Sequence, residues 1–286
     1  MAILITGASA GFGAAMVRRF VQAGYPVIGM ARRGDKLNEL KDKLGSMLQV
    51  VEADVGNKHS VDAALASLQN LPEAFHQIDC LINNAGLALG LDPAHQADFD
   101  DWETMIQTNI VGLSYLTRQV LPQMVERGNG YIINLGSIAA NYPYPGGNVY
   151  GATKAFVQQF SLNLRADLHG TGVRVSVIEP GLCGGTEFSH VRFKGNSERA
   201  NALYRDTDSL SADDIAETAL WLYQRPKHVN VNSLEVMPVS QSFGALPVYR
   251  PAPPPPPTPA ELPALADAHQ PEKEKGLLER LADWLK

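Results

Sequence analysis

Seven short apolar runs punctuate the first 250 residues, and longer stretches of helical periodicity separate them. The runs are AILIT (2–6), PVIGM (26–30), LQVVE (48–52), DCLIN (79–83), GYIINLG (130–136), VRVSVI (173–178) and NSLEV (232–236). Most are continuously apolar rather than alternating, as strands are when both faces of a parallel sheet are covered. Between them lie segments such as AAMVRRFVQAG, whose apolar residues recur at helical spacing and which ends on Gly24. Strand and helix in alternation require right-handed crossovers. The expected fold is therefore α/β: a doubly wound, mostly seven-stranded parallel sheet with helices on both faces. No internal repeat interrupts it.

Residues 1–250 are expected to form one domain, and the composition changes after Arg250. The run PAPPPPPTPAELP cannot donate regularly to a sheet or continue a helix, so 251–263 reads as a polyproline spacer. Beyond it, Leu277, Leu278, Leu281, Trp284 and Leu285 share one helical stripe, so 264–286 reads as an amphipathic helical tail. Two roles stay open for the tail: docking on its own body, or binding a protein partner.

Charge and cysteine content narrow the setting. A net charge of −6 offers no basic face for nucleic acid. No uncharged apolar run approaches a membrane span, and the opening MAILITG has no secretory n-region before it. Cys80 and Cys183 make no disulfide framework, and the 7 histidines show no metal spacing. A reducing, cytoplasmic location without a metal centre is the expectation.

The first strand runs into TGASAGFG, which opens the first helix. Gly7 permits a tight turn, while Gly11 and Gly13 let backbone and helix terminus approach a pyrophosphate. Ser9 adds a hydroxyl, and Ala8, Ala10 and Phe12 complete the loop. The second strand ends on Ala31, Arg32 and Arg33, where a site for an unphosphorylated ribose would place an acid. Paired guanidiniums suit a 2′-phosphate, so the expected cofactor is NADP rather than NAD. Asp54 and Val55 end the third strand, placed to accept from an adenine amino group and to pack on its ring. Asn83, Asn84, Ala85 and Gly86 end the fourth. All fall at carboxyl ends of strands, where open α/β sheets bind ligands.

Ser137 is followed thirteen positions later by Tyr150, and Tyr150 four positions later by Lys154. The last two share a helix face. A phenol titrates near pH 10, and a neighbouring ammonium favours the phenolate, so Lys154 is expected to lower the Tyr150 pKa. That equips Tyr150 for general acid–base work. Ser137 can donate to a carbonyl oxygen that gains charge as hydride arrives. Hydride transfer beside a nicotinamide follows.

TGASAGFG, NNAG, Ser137, YGATK and EPG together resemble the short-chain dehydrogenase/reductase family over residues 1 to about 250. More narrowly, NNAGLALG, DWETMIQTNI, GGTEFSHVRFKG and MPVSQS resemble the NADP-dependent 3-hydroxy acid dehydrogenases, which act on serine or allo-threonine or reduce malonic semialdehyde. The resemblance implies that Tyr150 is the acid/base, that Lys154 also holds the nicotinamide ribose, and that Ser137 orients the substrate oxygen. It implies that Asn109 anchors a relay water through a local break in its helix. Pro180 and Gly181 would wall the nicotinamide, and the stretch through Leu182, Cys183, Gly185, Thr186 and Phe188 would cover the cofactor. Cys183 departs from the aliphatic residue of close relatives. Tetramers packed through the helices carrying Asn109 and Tyr150 are common in the family.

Residues 184–206 should form a lid over the substrate. A 3-hydroxy acid needs a cation for its carboxylate, and Arg192 is chosen over Lys194 for that role. Three readings remain open: a 3-hydroxy acid dehydrogenase, a reductase of a 3-oxoacyl thioester or simple ketone, and a non-catalytic NADPH sensor acting through its tail.

Overall fold

The computed structural model describes residues 1–244; the inferred linker (251–263), the tail (264–286) and the last residues of the predicted domain lie outside the described residues. Seven strands, β1 (Ala2–Thr6), β2 (Val27–Ala31), β3 (Leu48–Glu52), β4 (Ile78–Asn83), β5 (Gly130–Leu135), β6 (Val173–Pro180) and β7 (Ser233–Val236), form one sheet in the order β3-β2-β1-β4-β5-β6-β7. Every pairing is parallel. The apolar runs thus locate the strands, with shifts at their ends. Strand β2 begins at Val27 rather than Pro26, because proline has no N–H for the ladder. Strand β6 reaches Pro180, whose neighbour in register is Val236.

Nine α-helices accompany the strands among the described residues: α1 (Gly11–Gln22), α2 (Gly34–Leu44), α3 (Lys58–Ser67), α4 (Phe99–Ile106), α5 (Leu113–Glu126), α6 (Asn148–Asp167), α7 (Phe188–Arg192), α8 (Ser197–Ala202) and α9 (Ala212–Tyr223). One apolar core joins α1 and α9 to the sheet through Met16, Phe20, Ile215 and Leu220, packed with Ile5 and Ile82. The other covers the opposite face through Val61, Leu116, Val120 and Leu164, packed with Leu4 and Ile132. Burial on both faces explains why the strands read as unbroken apolar runs.

The strand order reverses between β1 and β4, where Leu4 pairs with Leu81. At such a switch point the connecting chains leave in opposite directions and open a crevice at the carboxyl ends. Residues 184–209 leave the sheet after β6 and return at Leu210, which bridges Cys183. The backbone bonds Leu210 N–H to Leu182 O and Gly184 N–H to Leu210 O close the base of that excursion. The predicted lid therefore has its two ends side by side, with α7 and α8 between them.

Candidate active site

A cavity of about 690 Å³ opens at the carboxyl ends of all seven strands. Of the glycine loop, Gly7, Ser9, Ala10, Gly11 and Phe12 line it. Gly7 and Gly11 have φ of +65° and +50°, the left-handed region that favours glycine. Ala10 caps α1 without a side-chain hydrogen bond, so the first N–H groups of that helix stay available to an anion.

Two loop residues do not line the cavity. Ala8 is fully buried beneath it, and a Cβ on Gly29 would touch its methyl at 3.2 Å. Gly13 does not border a ligand either: a Cβ there would lie 2.1 Å from the Gly7 carbonyl oxygen. Its bareness lets the helix close on the loop, a packing role where phosphate approach was expected.

At the end of β2, Arg32 and Arg33 both line the cavity. Arg33 donates to Ser9 Oγ through Nε and a terminal nitrogen, each at 3.2 Å, and pairs with Glu187 at 2.8 Å. Asp54 and Val55 come next along the wall. One Asp54 oxygen accepts from Gly56 N–H at 2.9 Å. Asn84, Ala85 and Gly86 form the stretch beyond β4.

Asn83 is a correction. It is buried away from the cavity and donates to Thr117 Oγ1 at 2.8 Å and to Asn134 Oδ1 at 2.9 Å. It ties β4 to β5 and to α5, so a cofactor contact is replaced by a structural one. Asn84 is tied too, donating to the Thr6 carbonyl at 2.7 Å, but it stays in the wall.

Asn109 sits in a π-helical turn, Gln107–Gly112, between α4 and α5, so the helix does break there. Its side chain lies behind the lining. Oδ1 accepts from Leu87 N–H at 3.0 Å, while Nδ2 donates to Leu87 O at 2.9 Å and to Thr153 Oγ1 at 3.1 Å. A Cβ on Gly86 would lie 3.2 Å from Asn109 Oδ1 and 3.7 Å from Lys154 Nζ. A larger residue at Gly86 would press on the Asn109 amide.

Ser137, Tyr150 and Lys154 all face the cavity. Ser137 Oγ accepts from Ala139 N–H at 3.1 Å, which leaves its own hydrogen free to donate. Lys154 Nζ donates to the Leu135 carbonyl at 2.8 Å and stands 5.9 Å from the Tyr150 ring centre. Burial pushes the Tyr150 phenol up to about 12, with Ser137 and the Arg192 guanidinium pulling the other way. Burial also lowers Lys154 to about 8. The expected lowering of the tyrosine by the lysine is therefore not what this geometry produces. Desolvation is the largest influence on the phenol, and Lys154 is not among the groups that oppose it.

Pro180, Gly181, Leu182 and Cys183 border the cavity after β6, and Thr186 and Phe188 border it from the lid. Burial pushes the Cys183 thiol up to about 12, which marks it as an inert apolar wall. Gly185 stands outside the lining, with φ +69° and nothing near a would-be Cβ.

Arg192 is buried rather than solvated, although it ends a lid helix. Its Nε donates to Gly90 O at 3.1 Å and its terminal nitrogen to Tyr144 Oη at 2.8 Å. Lys194 is exposed and paired with Asp98 and Asp101.

Four wall residues carry no role in the sequence reading. Tyr144 holds Arg192, and Glu187 holds Arg33. Gln241 accepts from Leu182 N–H at 2.7 Å, and Phe243 packs at a tilt against Tyr142 with centroids 4.9 Å apart. The motif MPVSQS, matched as a block, contains Gln241 and was the available signal for it.

Comparison with known proteins gives the family and the fold. Residues 1–197 match the short chain dehydrogenase family. The chain is 57% identical over 250 residues to an NADP-dependent 3-hydroxy acid dehydrogenase of Escherichia coli, covering 87% of this chain and 100% of that protein. It is 54% identical over 248 residues to serine 3-dehydrogenase of Rhizobium radiobacter, covering 87% and 98%. A solved structure, the closed form of a serine dehydrogenase complexed with NADP+, superposes with a TM-score of 0.86 at 57% identity, covering 88% of this chain and all of that one.

Proposed function

The chain belongs to the short-chain dehydrogenase family, and on that footing we propose that it interconverts a small 3-hydroxy acid, of the serine, allo-threonine or 3-hydroxypropionate type, with its 3-oxo acid or semialdehyde, using NADP(H). The cavity suits such a cofactor on its own terms. It runs from a corner with two guanidiniums and the Ser9 hydroxyl, past bare backbone at Gly7 and Gly11, to the Tyr150 phenol. In this reading Arg32, Arg33 and Ser9 receive the 2′-phosphate, the start of α1 receives the pyrophosphate, and Asp54 and Val55 flank the adenine. Lys154 meets the nicotinamide ribose, and Pro180 to Cys183 wall the ring. When bound, NADP(H) supplies or takes up the hydride at the carbinol carbon.

The chain's own residues supply the proton chemistry. A phenol held near 12 is protonated at neutral pH and ready to give its proton to an oxygen that becomes an alkoxide. Ser137 donates to the same oxygen and steadies its growing charge. In the opposite direction Tyr150, as phenolate, takes the hydroxyl proton, and Ser137 and Arg192 are the groups that favour that form. Asn109, its amide engaged with Leu87 and Thr153, holds the π-helical turn at which a relay water would sit in this reading.

The observation that carries the substrate class is Arg192. It is a buried cation, 5.4 Å from the Tyr150 ring centre, and among the described residues no carboxylate pairs with it. A desolvated guanidinium without a counter-charge is costly, and a substrate carboxylate beside the reacting carbon relieves that cost. A simple ketone would leave it unpaired.

The assembly in this reading is a cytoplasmic homotetramer packed through α4, α5 and α6. Ile106, Phe156 and Leu162 are exposed apolar side chains on α4 and α6, consistent with a covered face. Among the described residues no helix is long and apolar enough to cross a membrane.

The test is a panel: L-serine, L-allo-threonine and 3-hydroxypropionate with NADP+ or NAD+, and malonic semialdehyde with NADPH or NADH, followed by absorbance. Turnover is expected with NADP(H). No turnover of any hydroxy acid or semialdehyde, in protein that binds NADPH, would overturn the reading.

A further inference from the structure

An ion pair joins the lid to the cofactor corner, Glu187 Oε2 to an Arg33 terminal nitrogen at 2.8 Å. That nitrogen and Arg33 Nε also donate to Ser9 Oγ. The guanidinium edge facing the glycine loop is thus the edge that Glu187 shares. Arg33, Ser9 and Glu187 all border the cavity. The Glu187 carboxylate is not spent on its own helix, because the residue caps α7 without a side-chain bond. Thr186 rests against the loop, 3.4 Å from a would-be Cβ on Gly11. Gly185, just before, has φ +69°, the left-handed region that favours glycine.

We infer that Glu187 is the lid's internal substitute for the cofactor 2′-phosphate. It holds the start of the lid on Arg33 and must yield that edge when the phosphate arrives, so its charge opposes binding of the phosphorylated cofactor. The inference rests on the reading of Arg33 as a 2′-phosphate receptor. Its physical basis is competition between like charges. A carboxylate and a phosphate dianion share one guanidinium edge, and the arrangement of lowest repulsion has the carboxylate displaced. The far end of the lid stays anchored, because Arg192 grips Gly90 and Tyr144 independently.

Both partners are about half exposed, so the pair is weak and the expected effect is modest, about two- to five-fold in affinity. The experiment is fluorescence titration of NADPH and of NADH into wild type, E187Q, R33A and the double variant, at low and high salt. Glutamine keeps the shape and removes the charge at an exposed position, so folding is preserved. E187Q should bind NADPH about two- to five-fold more tightly than wild type. Its NADH affinity should stay unchanged, the gain should shrink at high salt, and it should vanish in the R33A background.

With wild type preferring NADPH and R33A losing that preference, an unchanged or weaker NADPH affinity in E187Q overturns the latch alone. An equal gain for NADH also overturns it, since the effect would then come from the lid without the phosphate. A wild type indifferent between the two cofactors overturns the underlying reading and the latch with it.

Discussion

Arg192 lies over the Tyr150 ring with its guanidinium carbon 5.4 Å from the centroid, and it stands at the same distance from the Tyr144 ring. Residues from a lid helix and from the segment before α6 thus frame the phenol with one buried cation. Replacing Arg192 by alanine should raise KM for 3-hydroxy acids by about ten- to a hundred-fold, the loss expected for a hydrogen-bonded charged contact of ~1.5–3 kcal/mol. The NADPH Kd should stay put. Tyr144→Phe should reproduce part of the effect, because it frees the guanidinium from one of its two anchors. Steady-state kinetics on L-serine decides it, and an unchanged KM in R192A would remove Arg192 from substrate binding.

Tyr150→Phe should lower kcat by about 10²- to 10⁴-fold, the usual worth of a positioned proton donor. Only one oxygen is removed, so the ring contact with Phe188 at 5.8 Å and the fold should survive. NADPH titration and circular dichroism establish that the variant is intact. Full-speed turnover in an intact variant would sink the proposed proton transfer.

How much of this was legible in the sequence varies with distance along the chain. The strands were, because burial on both faces writes itself as unbroken apolar runs. The TGASAGFG loop and the Ser137, Tyr150, Lys154 spacing were, because each is local to one strand end or one helix turn. The individual members of NNAG were not. Whether Asn83 or Asn84 faces the cavity depends on how the last strand residue turns, and Asn83 found two partners, Thr117 and Asn134, 34 and 51 residues away.

Burial depth was equally invisible. From spacing alone, Lys154 beside Tyr150 argues for a lowered phenol, since only the charge is visible. The fold adds desolvation of both groups, and that effect has the opposite sign for the tyrosine. Tyr144 and Glu187 went unnoticed for a similar reason. Their partners, Arg192 and Arg33, lie 48 and 154 residues away, and only the fold brings them together.

Gly13→Ala should destabilise the enzyme without touching the substrate end. The added methyl would meet backbone, the Gly7 carbonyl oxygen at 2.1 Å, which cannot swing aside as a side chain can. Overpacking of this kind costs about 1–3 kcal/mol. In a domain of this size that lowers Tm by about 2–4 °C for each kcal/mol. NADPH should protect the variant less than it protects wild type, because the loop must shift to admit the methyl. Thermal melts with and without NADPH test both points, and a Tm within a degree of wild type would contradict the tight contact.

Lys154 predicts how stability of the cofactor-free protein varies with pH. Its ammonium titrates near 8 in the fold against an ordinary value of 10.5, so the fold disfavours the charge. Below about pH 8 the lysine is charged in both states and the full cost of burying that charge is present, of order 3 kcal/mol at 1.36 kcal/mol per pH unit. Between about 8 and 10.5 the unfolded chain holds the proton and the folded one does not, so stability rises with pH. Tyr150 acts in the opposite sense higher up. Its phenol keeps its proton to about 12 in the fold but loses it near 10 when unfolded, so stability falls across that interval. Lys154→Met should therefore be more stable than wild type near neutrality, though inactive. The difference between the two proteins should shrink as pH climbs from about 8 towards 10. Urea melts of both proteins at several pH values in that range measure the difference directly, and surface lysines cancel because the two share them. Parallel stability curves would show that burial of this ammonium carries no cost.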